Sequence, residues 1–291
     1  MPQIYLAPGL NHHATDYSII KTEEDIELYH YVCNLNNNNK KKIFLQMEPD
    51  AVHPCYKYLD EHKNHYDYII CYDPSKINSP NTIPLICGGT WISKNDYMNI
   101  DINLKKFQIS NLCGTKRDTV GHNLIIILYL NQLKLNMYPI IFFKGELTVC
   151  PNGFVLPNIN NNTFIDKELT AKIILFKEFQ YSIVIENSRE PCYFSEKLID
   201  CLITKTIPIY HGCENISEYF NTTGWIILET DNIVEELYEK LKVLNEEYYK
   251  KYESIIEENY RKAIQYSSVL NNSWDALNKI PYINIDKSNY Q

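Results

Sequence analysis

One stretch, YSIVIENSREPCYFSEKLIDCLITKTIPIYHG at residues 181–212, constrains the fold more than any other part of the chain. An apolar run ends at Glu186, a polar interval follows, an amphipathic run begins at Ser195, and a second apolar run closes on Gly212. Two short strands separated by a helix-length interval pair as parallel neighbours, because a crossover helix fits that interval, whereas a hairpin needs only a tight turn. The stretch therefore predicts a βαβ unit in a parallel sheet, with helices covering both faces.

The same alternation recurs upstream. KKFQISNLCGTKRD reads as a strand and polar loop, with the apolar NLIIILYLNQLKL after it. Nearer the start, QIYLAPG, KKIFLQMEPD, YDYIICYD and TIPLICGG are short apolar runs bounded by turn residues. Between the first two, TEEDIELYHYVCNL predicts a helix over residues 22–35, with Thr22 as N-cap, acids in the first turn, and Ile26, Tyr29 and Val32 along one face. NNNNKKK after it is a solvated loop. Residues 231–267, with Glu, Lys and Tyr on a helical period, predict two helices. A chain of 291 residues accommodates two ordinary domains. The polar, Asn-rich SKNDYMNIDINLK marks their boundary, giving domains 1–100 and 101–291, with the C-terminal helices free to pack back on the first.

A formal charge of -8 leaves no broadly basic surface for nucleic acid, so an anionic ligand must be held by a local cluster of donors. Arg is rare, at Arg117, Arg189 and Arg261, which draws attention to an Arg placed in a polar loop. The nine Cys form no CxxC pair and no metal-type spacing with the eight His; they read as reduced core thiols, and no metal site is expected. The start, MPQIYLAPGLNHH, lacks a basic region followed by an apolar one, and no apolar run reaches the roughly 18 residues of a membrane span. Cytoplasmic residence is the expectation, and the sequons at Asn161, Asn215, Asn221 and Asn271 are then chance products of abundant Asn. Oligomeric state has no signature in the sequence.

Residues 187–195 form the loop at the carboxyl end of a parallel strand, the edge where open α/β sheets bind ligands. Ser195 is a competent N-cap and puts Glu196 and Lys197 in the first helical turn. Glu suits that position; Lys does not, because a helix start already carries about half a positive charge. A cation beside free backbone N–H groups makes an anion site, most naturally for phosphate. Arg117, in the corresponding loop after the preceding strand, is placed to join it.

The pattern Glu186-Asn187-Ser188, then Tyr193-Phe194-Ser195-Glu196-Lys197, then Ile207-Pro208-Ile209-Tyr210-His211-Gly212 resembles the donor-site motif of glycosyltransferase family 10, the α-1,3/4-fucosyltransferases. SNLCGTKRD resembles that family's Ser-Asn loop ending in an Arg, and Glu48 in IFLQMEPD falls at the Glu of its Gly-Glu-Asn segment, although Met47 and Pro49 depart from it. Ser195 replaces the common Thr and keeps the capping hydroxyl. The likeness spans residues 43–225, and within it GELTVCPNGFVLPNINNNTF matches nothing in the pattern.

The resemblance implies a GT-B architecture, two Rossmann-like domains whose parallel sheets face a central cleft, with the acceptor side first and the nucleotide-sugar side second. It implies GDP-fucose as donor and a glycan or other hydroxyl as acceptor. It also implies inverting transfer with Glu48 as general base, and no required cofactor. Arg117 and Lys197 would hold the diphosphate, Glu196 the ribose or sugar hydroxyls, and Asn187 and Tyr193 would line the donor pocket. No Asp-x-Asp occurs in the chain. His53 and His211 read as structural, and Arg189 has no counterpart in the pattern. Two alternatives stay open: the same chemistry with another nucleotide sugar, and a nucleotide-sugar binding protein without turnover.

Overall fold

The computed structural model describes residues 2–6, 19–30, 38–46, 48–114, 116–144 and 169–289. Its strands are β1 (Ile4–Leu6), β2 (Ile20–Thr22), β3 (Ile26–Tyr29), β4 (Lys41–Leu45), β5 (Tyr68–Cys71), β6 (Thr82–Pro84), β7 (Lys106–Cys113), β8 (Ile140–Lys144), β9 (Phe179–Ile185), β10 (Ile207–His211), β11 (Ile226–Ile227) and β12 (Ile283–Ile285). The α-helices are α1 (Tyr56–His62), α2 (Lys94–Met98), α3 (Val120–Leu130), α4 (Glu196–Ile203), α5 (Ile233–Lys240), α6 (Glu246–Lys251), α7 (Glu253–Gln265) and α8 (Val269–Leu277). They form two compact units, one from residues 1–88 with 268–291 and the other from 89–267. The first unit thus stops before the expected residue 100, and the C-terminal segment joins it.

In the first unit, strands β1-β3-β4-β5-β6 make a parallel sheet. Trp274, Ala276 and Leu277 of α8 and Ile283 and Ile285 of β12 share one core with Ile26, Leu28, Ile43, Leu45 and Ile70 of that sheet. β12 also pairs antiparallel with β2.

The helix expected over residues 22–35 is not formed in its described part. Thr22 ends β2 and Ile26–Tyr29 is β3, a strand between β1 and β4 with every residue buried. Ile26 and Leu28 enter the α8 core, while Glu27 accepts from Tyr29 Oη (2.8 Å) and Asn38 Nδ2 (3.1 Å). The Thr22 hydroxyl accepts from Glu24 N (3.2 Å), closing a turn where a helix cap was expected. Burial against two neighbouring strands overrides local propensity in so short a segment. Residues 31–35 lie outside the described residues.

The second unit has the parallel strand order β11-β10-β9-β7-β8. From β7 the chain moves outward to β8, then returns to place β9 on the other side of β7 and continues to β10 and β11. The order therefore reverses between β7 and β9, which makes their carboxyl ends a topological switch point. The two helices expected in residues 231–267 are three, α5, α6 and α7: Asn245 Oδ1 accepts from Tyr248 N (2.8 Å) to start α6, and the chain breaks again at Tyr252. The wholly buried Asp200 fixes α4, accepting from Thr90 Oγ1 (2.5 Å) and Trp91 N (3.0 Å) and pairing with Lys172 (2.6 Å). Among the described residues no helix is long and apolar enough to cross a membrane, and the seven described cysteines are free thiols, five of them buried.

At the amino ends of the same strands, buried Lys105 donates to Phe176 O (2.7 Å), Phe179 O (2.9 Å) and Thr206 Oγ1 (2.8 Å), tying the starts of β7, β9 and β10 together. Burial pushes its pKa down to about 7.

Trp274→Ala should cost the first unit about 3–5 kcal/mol in urea unfolding, because it empties the core that α8 supplies. Lys105→Met should cost about 3 kcal/mol, since it leaves two carbonyls and a hydroxyl unpaired. With the native pKa near 7 and the ordinary value at 10.5, the unfolded chain holds more protons between these values, so this group's contribution to stability rises with pH across that window. The gap between wild type and Lys105→Met should therefore widen by about 2 kcal/mol from pH 7 to pH 9.

Candidate functional site

The carboxyl ends of β7 and β9 carry two loops, each leading into a helix: residues 114–119 into α3 and residues 186–195 into α4. Both helices have the hydroxyl caps that their sequences supply, Thr119 accepting from His122 N (3.3 Å) and Ser195 from Lys197 N (3.3 Å). Such a cap contributes about 1 kcal/mol and fixes where the first-turn side chains start.

Glu186 organises the β9 end. Its side chain is wholly buried, and Ser195 donates to it twice, from its backbone N to Oε1 (2.9 Å) and from Oγ to Oε2 (2.5 Å). Lys197 Nζ lies 3.9 Å from Glu186 Oε2, 3.4 Å from Ser195 Oγ and 3.7 Å from Glu196 Oε1. Burial raises the Glu186 pKa, and Lys197 and the Ser195 hydrogen bonds work against that rise. For Glu196 burial also disfavours charge, but Lys197 and Lys172 outweigh it and hold the carboxyl below its ordinary range. The sequence places Glu186 in the donor-site pattern but assigns it no role. Its signal was present: an acid ending an apolar strand is a carboxylate inside a core.

Two glycines allow the close packing. Gly121 N donates to Asn187 O (3.1 Å), and a Cβ on Gly121 would stand 1.7 Å from Glu186 O. A Cβ on Gly212 would lie 2.5 Å from both Glu186 Cγ and Tyr210 Oη. The start of α3 is thereby pressed against the end of β9. The positive charges of Lys197, Lys116 and Arg117 all reach His122, in the first turn of α3.

Of the residues expected from sequence, Arg117, Asn187, Glu196 and Lys197 come together at this switch point. Arg117 donates to Lys116 O (2.8 Å) on its own loop, and Asn187 Oδ1 is buried without a hydrogen-bond partner among the described residues. Tyr193 lies in the same loop but is 3% exposed, an aromatic within the core. Glu48 belongs to the first unit, at a bend beyond β4, and is partly buried. The loop after it is held by Asp50, which accepts from Cys55 N (2.7 Å) and Tyr56 N (3.0 Å). His211 is structural, its Nδ1 3.0 Å from Leu228 O, and Arg189 pairs with Glu214 (3.1 Å) at the surface. Residues 145–164, the unmatched loop, lie outside the described residues. Among the described residues no group of three His, Cys, Asp or Glu is arranged to hold a metal ion. The cations, hydroxyls and helix starts at this edge suit an anionic ligand.

Gly121→Ala should destabilise the second unit by about 3 kcal/mol or more in urea unfolding, because the added carbon meets backbone on β9 that cannot rotate away.

No protein-family description matches the chain, and no curated protein matches it in sequence. Solved structures match it in fold. HepE from Anabaena, in complex with UDP-glucose, superposes with a TM-score of 0.56 at 10% identity over 82% of this chain and 72% of that one. S. aureus TarM, in a complex containing UDP, gives 0.54 at 14% identity over 87% of this chain and 55% of that one, so the chain spans about half of TarM. An α1,3-fucosyltransferase with GDP-fucose gives 0.49 at 15% identity over 83% of this chain and 76% of that one. With its two parallel sheets, the chain has the α/β fold of the GT-B glycosyltransferases.

Proposed function

We propose that this chain is an inverting glycosyltransferase that moves a sugar from a nucleotide-diphosphate donor, first of all fucose from GDP-fucose, onto a hydroxyl of a glycan acceptor. The observation that carries this reading is the convergence of Lys116, Arg117 and Lys197 at the switch point between β7 and β9. The GT-B fold and the motif resemblance to glycosyltransferase family 10 support it. The second unit is the donor side in this reading, and the first unit is the acceptor side.

In the reaction, the acceptor oxygen bonds to the anomeric carbon as the bond from that carbon to the diphosphate breaks. The acceptor proton passes to the Glu48 carboxylate, which raises the nucleophilicity of a poorly acidic hydroxyl. The departing diphosphate gains negative charge, and Lys197, Arg117 and the start of α4 stabilise it. Glu196, ionised, accepts from ribose or sugar hydroxyls. Asn187 offers a buried amide oxygen to the same hydroxyls.

A second reading keeps this chemistry and takes a UDP-sugar. It is favoured by HepE and TarM, whose complexes contain UDP-glucose or UDP and whose TM-scores exceed one half.

A thermal-shift panel of GDP, UDP and dTDP separates the two readings. The matching nucleotide at a hundredfold excess over Kd should stabilise the protein by about 2.7 kcal/mol, and no shift with any of the three overturns the donor site. Lys197→Ala should weaken that nucleotide about tenfold to a hundredfold. Glu48→Gln should leave nucleotide binding intact and abolish sugar transfer; near-normal turnover in that variant would remove Glu48 as the base.

A further inference from the structure

At the switch point, three side-chain atoms are buried without a hydrogen-bond partner among the described residues: His122 Nδ1, Asn187 Oδ1 and Ser188 Oγ. An unpaired buried polar atom costs about 1–3 kcal/mol, so three at one edge call for a ligand that pairs them. Asn187 has a role in the reading above, whereas His122 has none. Its position is fixed on both sides. Thr119 Oγ1 holds its backbone N (3.3 Å), and the adjacent Gly121 is bonded to Asn187 O (3.1 Å) with no room for a side chain. The imidazole is therefore anchored in the turn that abuts the end of β9.

Cations outnumber acids among the charges around the imidazole, which include Asp118 on its own loop and Glu186 at the end of β9. Besides burial, Lys197 on α4 and Lys116 and Arg117 on the loop before α3 disfavour its protonation, while Asp118 on that loop favours it. Burial and three cations disfavour the protonated imidazole, and an anion that offsets the cations favours it.

We propose that His122 is a phosphate-binding group of the donor site, contributing an imidazolium N–H to the nucleotide's diphosphate alongside Lys197 and Arg117. This rests on the glycosyltransferase reading and adds a residue that its motif does not contain. Diphosphate oxygens screen the three cations and offer an acceptor to the ring, so the ring takes a proton from solvent as the nucleotide binds. His122 would then give back its charge only when the nucleoside diphosphate leaves, coupling product release to pH.

Calorimetric titration of GDP and UDP in buffers of different ionisation enthalpy reads this directly. At pH 7 wild type should take up more protons per nucleotide than His122→Gln, and its affinity should fall from pH 6 to pH 8 more steeply than the variant's. His122→Gln should bind about tenfold more weakly at pH 6, with its melting temperature unchanged; His122→Asn serves if the Gln variant does not fold. Equal proton uptake in wild type and variant overturns the role of His122 while leaving the donor site standing. No calorimetric binding of GDP, UDP or dTDP to wild type overturns both.

Discussion

Glu186 lies at the end of β9 with no exposure to solvent, and a carboxylate so placed has to be paired or it destabilises the unit that contains it. Ser195 answers that requirement with two hydrogen bonds. The same hydroxyl caps α4 and lies 3.4 Å from Lys197 Nζ. One interior carboxyl group thus bonds the residue that caps the helix and lies beside its cation. The Lys that looked misplaced at a helix start is held there by two carboxylates, one buried and one at its side.

The second half of the site depends on a steric constraint. With 1.7 Å between a hypothetical Gly121 Cβ and Glu186 O, only a glycine lets α3 approach β9. That approach turns two separate loops into one electropositive edge. It also shows how the chain, acidic as a whole, can concentrate positive charge locally: Lys116 and Arg117 before α3 and Lys197 in α4 all act on His122, where the strand order reverses between β7 and β9. At the far end of the same strands Lys105 ties their starts together.

Much of the second unit was legible because its signals are local. The strand, loop, cap and helix of residues 181–212 each carry their own pattern, and the structure forms them in that order. The positions of Arg117 and Asn187 in the loops after β7 and β9, and of Glu196 and Lys197 in the first turn of α4, were legible for the same reason. In the first unit a four-residue strand was mistaken for part of a helix, because acids after a Thr and apolar residues three apart fit both a helix start and a turn followed by a buried strand. α8 and β12 carried no forward signal either, since what defines them is a sheet more than 180 residues earlier in the chain, with Trp274 beside Ile26 and Leu28. His122 was invisible because nothing in its own neighbourhood distinguishes it from any histidine in a helical first turn.

The sequence by itself determined the α/β class, the parallel sheet around β9 and β10, the Ser195 cap and the cation behind it, since these depend on propensity, periodicity and capping within a few residues. Tertiary structure alone decided that β3 is a strand, that the C-terminal segment completes the first unit, and that the Arg117 and Lys197 loops share an edge. The physical reason is the same in each case: strand pairing, core burial and the close approach at Gly121 are contacts between residues far apart in sequence, and their free energy does not appear in any local pattern.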